Sequence, residues 1–102
     1  MTEIERRVFR YVVPADDKPH VFPLSHSPVA VAATGPFSPE PWSVEFWAEH
    51  TEGEPGIARA FRVFGTGHAL PEDAKWVGTC PRTPDGLVWH LYEIPLPREG
   101  DR

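Results

Sequence analysis

The chain has 102 residues, of which 40% are hydrophobic and 25% charged, and its formal net charge is −5. These values are typical of one soluble globular domain. We therefore expect a single domain over residues 1–102, with an ordered core over about 7–97 and frayed termini. Binding to nucleic acid is not expected, because it needs clustered Lys and Arg to neutralise phosphates, and the basic residues here are few and scattered.

The cysteine content and the hydropathy of the chain favour the cytoplasm. Cys80 is the only cysteine, so the chain cannot form an internal disulfide and no oxidising compartment is implied. Glu3 and Glu5 oppose a secretion leader at the N-terminus. No apolar run approaches the roughly 20 residues that cross a membrane. We expect a cytoplasmic protein with no membrane partner.

The first half of the chain is predicted to form four strands. Alternation of apolar and polar residues indicates strands over 7–13 and 42–49, and a run of Val and Ala indicates another over 29–34. A short strand over 20–24 contains Pro23, which cannot donate to a hydrogen-bond ladder, so we expect this strand at a sheet edge. The small residues of 29–34 are expected to let another element approach closely.

The second half is predicted to form three strands, over 57–64, 76–80 and 87–94. The first of them is expected to form a hairpin with strand 42–49. The last is apolar on both faces and is therefore expected inside a sheet. Residues 71–74, which begin with proline, are expected to form one helical turn. The chain is therefore predicted to be all-β: a small, mostly antiparallel β-sandwich or open barrel of about seven short strands with at most one helical turn.

Three aromatic residues are candidates for an interface: Phe37, Trp47 and Trp76. The alternation in 42–49 places Trp42 on the apolar face and leaves Trp47 on the polar face, while Phe37 lies at the tip of a proline-rich loop. Exposed aromatic residues concentrate at protein interfaces. These residues therefore predict a protein-binding surface or a homo-oligomer. The alternative is that Trp47 packs beneath the proline-rich loop in a second small core.

The run Gly65, Thr66, Gly67 and His68 is a candidate binding loop between two predicted strands. Its glycines leave backbone N–H groups accessible beside an imidazole, a combination suited to an anion or to the carboxylate of a partner. The alternative is a bulged turn in which His68 caps backbone groups, since paired glycines in β proteins also solve problems of geometry. A phosphate-binding P-loop is excluded, because the Gly-Lys-Ser/Thr ending is missing.

The residue types that carry catalysis and metal binding are dispersed. The five histidines are not spaced as metal ligands, so no metal and no cofactor is expected. His90 is predicted to be a half-buried, hydrogen-bonded strand histidine rather than a ligand. Neither a serine nor Cys80 stands in a nucleophile motif. The sequence therefore favours a protein that is not an enzyme, assigns no catalytic residue, and leaves an enzyme open as the lesser alternative.

Three segments of the C-terminal half carry a family resemblance: 61–71 (FRVFGTGHALP), 76–79 (WVGT) and 86–93 (GLVWHLYE). The chain resembles a family of small uncharacterised proteins, a domain of unknown function, encoded by tailed bacteriophages and by prophages. The resemblance covers most of 7–94, with Ala69 where we expect a proline. It implies a phage context and no known activity, so it assigns no catalytic residue.

The function expected from the sequence is that of a small phage or prophage accessory protein. It would be made in the host cytoplasm and would act by binding a host protein, another phage protein or a second copy of itself. One alternative is a virion-associated structural or decoration protein. Another is a small-molecule-binding or enzymatic domain that uses residues 65–68.

Overall fold

A computed structural model describes residues 3–97. Residues 1–2 and 98–102, on which the predicted fraying of the termini falls, lie outside the described residues. The described chain forms seven strands: β1 (Arg6–Pro14), β2 (His20–Leu24), β3 (Pro28–Ala33), β4 (Ser43–Thr51), β5 (Ile57–Gly65), β6 (Lys75–Thr79) and β7 (Trp89–Ile94).

The strands form two antiparallel sheets packed face to face, which confirms the predicted all-β sandwich. One sheet has three strands in the order β1-β4-β3, and the other has four in the order β2-β5-β7-β6. Every strand pairing in both sheets is antiparallel. Two finer predictions are also confirmed: β2, which contains Pro23, lies at an edge, and β7, which is apolar on both faces, lies inside its sheet.

The predicted hairpin between β4 and β5 is wrong, because the two strands belong to different sheets. The connection between them carries the chain across the sandwich and ends in Gly56, which packs directly on β2. A Cβ atom on Gly56 would lie 2.6 Å from the carbonyl carbon of Pro23. Because of this backbone contact, β5 begins beside β2 and does not turn back to pair with β4.

Two local predictions are also corrected. β4 begins at Ser43, and Trp42 lies outside the strand with a φ of 58° and its side chain 47% exposed. The carbonyl of Trp42 accepts the backbone N–H of Ala15 at 2.9 Å, which ties the residue to the connection that leads from β1 to the other sheet. Residues 71–74 form a single turn closed by the N–H of Ala74 and the carbonyl of Pro71, 3.1 Å apart, rather than a helical turn.

The core lies between the two sheets and is built on stacked aromatic rings. The ring of Phe46 lies 4.9 Å from that of Tyr11 and 5.0 Å from that of Phe61, measured between centroids. Phe46 and Phe61 are fully buried and come from opposite sheets. Because successive side chains of a strand point to opposite faces, the alternation read from the sequence places these rings in one layer.

The two sheets are in close contact where β3 meets β6. A Cβ atom on Gly78 would lie 2.5 Å from Cγ2 of Val31, so the absence of a side chain on Gly78 creates the space that Val31 fills. The close approach expected at the small residues of β3 is therefore provided by the glycine of β6. A bulge between Trp76 and Gly78 accompanies it.

Four connections lie at the same end of the sandwich, which we call the loop end. β1 ends where β4 begins, at the Pro14–Ser43 pair, and in the other sheet β5 ends where β7 begins, at the Gly65–Trp89 pair. The short connection from β1 to β2 leads from the Pro14–Ser43 pair to His20, which pairs with Phe61 in the second half of β5. The loop end carries residues 15–19, 34–42, 65–68 and 80–88.

One connection leaves the loop end and runs back along the four-stranded sheet. β5 and β6 are both antiparallel to β7, which lies between them, so they run in the same direction. The nine residues 66–74 must therefore run back from the end of β5 to Lys75, which pairs with Glu93 at the level of Phe61. We call this segment the crossover.

Candidate functional site

The crossover begins in a tight turn over residues 65–68. The N–H of His68 donates to the carbonyl of Gly65 at 3.1 Å, and Gly67 has a φ of 89°. A positive φ at the third position is the requirement of a type II turn and favours glycine there. The N–H of Gly65 in turn donates to Nδ1 of His68 at 3.3 Å. His68 thus caps a backbone group, while the predicted binding role of Gly65, Thr66, Gly67 and His68 stays a prediction.

A chain of side-chain hydrogen bonds ties this turn to β6 and β7. Nε2 of His90 lies 2.9 Å from Oγ1 of Thr66, and Nδ1 of the same ring lies 3.0 Å from Oγ1 of Thr79. Nε1 of Trp76 donates to Oγ1 of Thr79 at 2.9 Å. His90 is therefore the half-buried, hydrogen-bonded strand residue predicted from the sequence, and it joins Thr66 to Trp76, two residues predicted for different roles.

The crossover covers a small apolar cluster on the outer face of the four-stranded sheet. Phe64 is only 2% exposed, although it does not belong to the core between the sheets. Its ring meets the edge of Tyr92 with the centroids 5.6 Å apart, and the guanidinium carbon of Arg62 lies 4.6 Å from the ring centroid. Leu70 and the 65–68 turn line the same small cavity as Phe64, so this end of the crossover is packed onto the sheet.

A groove of about 350 Å³ opens on the other side of the 65–68 turn, between it and the connection before β7. Thr66 and His68 form one wall, and Arg82 and Leu87 belong to the other. Nη1 of Arg82 donates to the carbonyl of Gly86 at 3.1 Å, which fixes the guanidinium within its loop. The groove therefore combines a cation, an imidazole and an apolar side chain at the loop end.

The proline-rich loop over residues 35–42, which we call the aromatic loop, presents two aromatic side chains to solvent. Phe37 is 98% exposed. Trp42, at the end of the loop, is about half exposed, and its backbone adopts a left-handed conformation that is uncommon for a bulky residue.

Hydrogen bonds hold the aromatic loop in place. Inside the loop, the N–H of Ser38 donates to the carbonyl of Gly35 at 3.1 Å. At its base, Oγ1 of Thr34 donates to the carbonyl of Glu40 at 2.7 Å. The carboxylate of Glu40 also pairs with Arg10 of β1 at 3.3 Å. The exposed ring of Phe37 therefore stands on a loop that is anchored at both ends.

The structure does not bring the three predicted interface residues together. Phe37 lies at the loop end, whereas Trp47 is half-buried on the outer face of the three-stranded sheet, paired with Arg10 and Ala30. Trp76 is 63% exposed on the outer face of the other sheet, opposite Tyr92. Trp47 and Trp76 therefore lie on opposite sides of the sandwich and cannot belong to one flat interface.

Trp42 is an exposed aromatic residue that sequence reasoning missed. The alternation of apolar residues in β4 continues back to Trp42, and this pattern predicted that the Trp42 side chain points into the core. Pro39 and Pro41, just before Trp42, indicate that the strand begins later. Proline cannot donate to a hydrogen-bond ladder and marks the end of a loop rather than the middle of a strand.

A serine and a histidine also meet where β2 passes into β3, at the other end of the sandwich. Oγ of Ser25 lies 3.4 Å from Nδ1 of His50 and accepts the N–H of Thr51 at 3.1 Å. Nε2 of His26 lies 2.7 Å from Oγ1 of Thr51. These contacts fasten the connection to β4.

Across residues 3–97, no group of three or more His, Cys, Asp or Glu side chains is arranged to hold a metal ion. The same residues include no helix of the length and hydrophobicity needed to span a membrane.

Comparison with known proteins gives a family and no described relative. The family described as a domain of unknown function, DUF7352, matches residues 4–101. A comparison with curated proteins and one with solved structures found no match. Because the family match spans nearly the whole chain, the protein belongs to the DUF7352 family.

Proposed function

We propose that the protein acts by binding another protein through the aromatic loop, with Phe37 as the central contact. The observation that carries this proposal is the 98% exposure of Phe37 on an anchored loop. Full burial of a phenylalanine side chain is worth about 1.5–3 kcal/mol, and none of it is gained within this chain. An anchored loop also loses less conformational entropy when a partner binds it.

Trp42 supports the same surface. It shares the loop with Phe37, and a left-handed backbone at a residue other than glycine costs of order 1 kcal/mol or more. Strain of this kind is concentrated at binding and catalytic sites, where the surrounding structure maintains it. The two side chains together give a partner a pair of aromatic anchors, the residue type that dominates binding hot spots.

The biological setting that we propose is a phage or prophage accessory protein in the cytoplasm of a bacterial host. The sequence resemblance to phage and prophage proteins supports it, and the partner would be a host protein or another phage protein. A virion component is the alternative setting. Mass spectrometry of purified particles separates the two, because an accessory protein is absent from them.

The experiment compares matched surface variants in partner capture and affinity. Phe37→Ala and Trp42→Asn change the aromatic loop, and Ile57→Ala changes an apolar residue that is 73% exposed at the start of β5, away from the loop end. We expect a partner captured from host lysate by the unchanged protein, and then titrated as a purified protein, to bind both loop variants about tenfold or more weakly. The Ile57 variant should bind normally.

Equal affinity of the Phe37 and Ile57 variants for the captured partner would overturn the proposal. Self-association is tested in parallel by light scattering coupled to gel filtration. A dimer that Phe37→Ala dissociates would assign the aromatic loop to a second copy of this chain instead of to a different protein.

A further inference from the structure

We propose that the groove between the 65–68 turn and the connection before β7 binds a carboxylate, with Arg82 and His68 as its donors. This site is separate from the aromatic loop and does not depend on the function proposed for it. The ligand class is an organic acid: one carboxylate attached to an apolar group of modest size.

Arg82 differs from the other arginines of the described chain. Within residues 3–97, each of the other five arginines has a carboxylate oxygen within 4.0 Å, and they are Arg6, Arg7, Arg10, Arg59 and Arg62. Over the same residues Arg82 has no carboxylate partner and donates to the carbonyl of Gly86 instead. A guanidinium carries five N–H donors in a planar fork, so Arg82 is held in place with most of its donors available to a ligand.

His68 supplies a second donor. Its Nδ1 accepts the N–H of Gly65 at 3.3 Å. A neutral imidazole has one donor and one acceptor nitrogen, so the proton of neutral His68 lies on Nε2. The ring packs directly on Gly65, with Cε1 3.1 Å from the position of a Cβ atom there. Its orientation is therefore fixed before any ligand arrives.

The walls of the groove match a carboxylate with an apolar substituent. No aspartate or glutamate belongs to the lining, which includes the side chains of Leu87 and Trp89. The nearby carboxylate of Asp85 accepts a hydrogen bond from the hydroxyl of Thr83 within its own loop. A groove whose lining includes the guanidinium of Arg82 and no carboxylate favours an anion. Its volume of about 350 Å³ lies at the small end of ligand pockets, which span roughly 300–1,000 Å³.

The test is a titration of ¹⁵N-labelled protein with three small probes, followed by the backbone amide signals. N-acetyl-L-phenylalanine has the carboxylate, its primary amide lacks the charge, and 3-phenylpropionate has the carboxylate without a peptide bond. We expect both acids to shift the signals of Gly65, Thr66 and Gly86, and the amide to leave them in place. Binding of N-acetyl-L-phenylalanine without 3-phenylpropionate would also support the site and would assign it to a peptide C-terminus.

Variants establish which donors act. Arg82→Gln removes an exposed charge and should weaken binding of N-acetyl-L-phenylalanine by about tenfold or more, and His68→Ala should weaken it less. Arg7→Gln is the control, because Arg7 is exposed, pairs with Glu5 and lies outside the groove. Equal shifts with the acid and the amide, or unchanged binding by Arg82→Gln, would overturn the proposal. Phe37→Ala should bind the probes normally, so the two proposals fail independently.

Discussion

The imidazole of His68 packs tightly against the position at which Gly65 would carry a side chain. Three atoms of the ring lie between 3.1 and 3.4 Å from the position of a Cβ atom on Gly65, and the same ring accepts the N–H of that glycine. The two residues therefore depend on each other. The absence of a side chain on Gly65 leaves room for the imidazole of His68, and the imidazole accepts the backbone N–H of Gly65.

We expect Gly65→Ala to lower the free energy of unfolding by about 1 kcal/mol, because the added methyl group forces the ring to shift by a few tenths of an ångström and weakens its hydrogen bond. The Gly65→Ala/His68→Ala double variant should lose less than the sum of the single variants, since the ring is then absent. Urea unfolding measures all three. Gly35→Ala is the control, because open space surrounds that position. Additive losses would show that the ring and the glycine do not interact.

Gly78→Ala should cost more, about 1–3 kcal/mol, because a methyl group there would lie 2.5 Å from Cγ2 of Val31 inside the sandwich. Adding Val31→Ala removes the opposing methyl groups, so the Gly78→Ala/Val31→Ala variant should be more stable than the sum of the two single changes predicts. Urea unfolding with an unchanged m-value is the measurement. A Gly78→Ala variant as stable as the unchanged protein would show that the sheets separate freely at this point.

Cys80 should resist modification until the protein unfolds. The residue is 2% exposed, and burial, with a smaller contribution from the charge of Glu45, raises the pKa of its thiol from 9.0 to about 11. The thiolate is the reactive form. At pH 8 we therefore expect negligible reaction with a disulfide reagent in native protein and rapid reaction in urea. Comparable rates in both conditions would contradict the burial of Cys80.

The same shift makes stability depend on alkaline pH. Because the folded pKa of Cys80 lies above the unfolded one, the thiol contributes fully below pH 9 and loses this contribution as the pH rises towards 11. The stability difference between the unchanged protein and Cys80→Ala should therefore shrink over this range by about 2 kcal/mol.

The ion pair between Arg59 and Glu93 should contribute to acid sensitivity. Nε and Nη2 of Arg59 donate to the two carboxylate oxygens of Glu93 at 2.9 and 2.7 Å. These hydrogen bonds lower the pKa of Glu93 against the opposing effect of partial burial. A lowered folded pKa gives stability that is present above about pH 4.3 and is lost as the pH falls through the folded value.

We expect Glu93→Gln to reduce stability at pH 7 by about 1 kcal/mol and by less at pH 3. Thermal unfolding at both pH values is the measurement. Glu72→Gln, at an exposed position in the turn before β6, is the control and should show no such difference. A loss that is equal at both pH values would assign the effect of Glu93→Gln to packing.

The strands could be predicted because burial of a strand face places apolar residues at regular positions in the sequence. Pro23 marked β2 as an edge strand, and the apolar faces of β7 marked it as an interior one. Pairing could not be predicted in the same way. The alternation of apolar and polar residues indicates that β4 and β5 each have one buried face. The same alternation fits two strands of a hairpin and two strands in opposite sheets.

The candidate sites show the same limit. The 65–68 turn could be predicted from its glycines. Arg82 follows β6 in the sequence, and only the fold brings it next to this turn. Trp42 was assigned to the core because its apolar side chain continued the alternation of β4. Its outward direction comes from a positive φ, which no side-chain pattern encodes.

The position of β7 sets the order in which the four-stranded sheet can be completed during synthesis. Strands leave the ribosome in numerical order, yet β7 comes after both of the strands between which it lies. β6 pairs with β7 alone in this sheet, so on a nascent chain it emerges before its neighbour exists. Phe64 packs against Tyr92 of β7, so its ring stays exposed to solvent over the same interval, and exposed apolar surface of this kind favours aggregation during folding. The sheet closes only when residues 89–94 are free to insert.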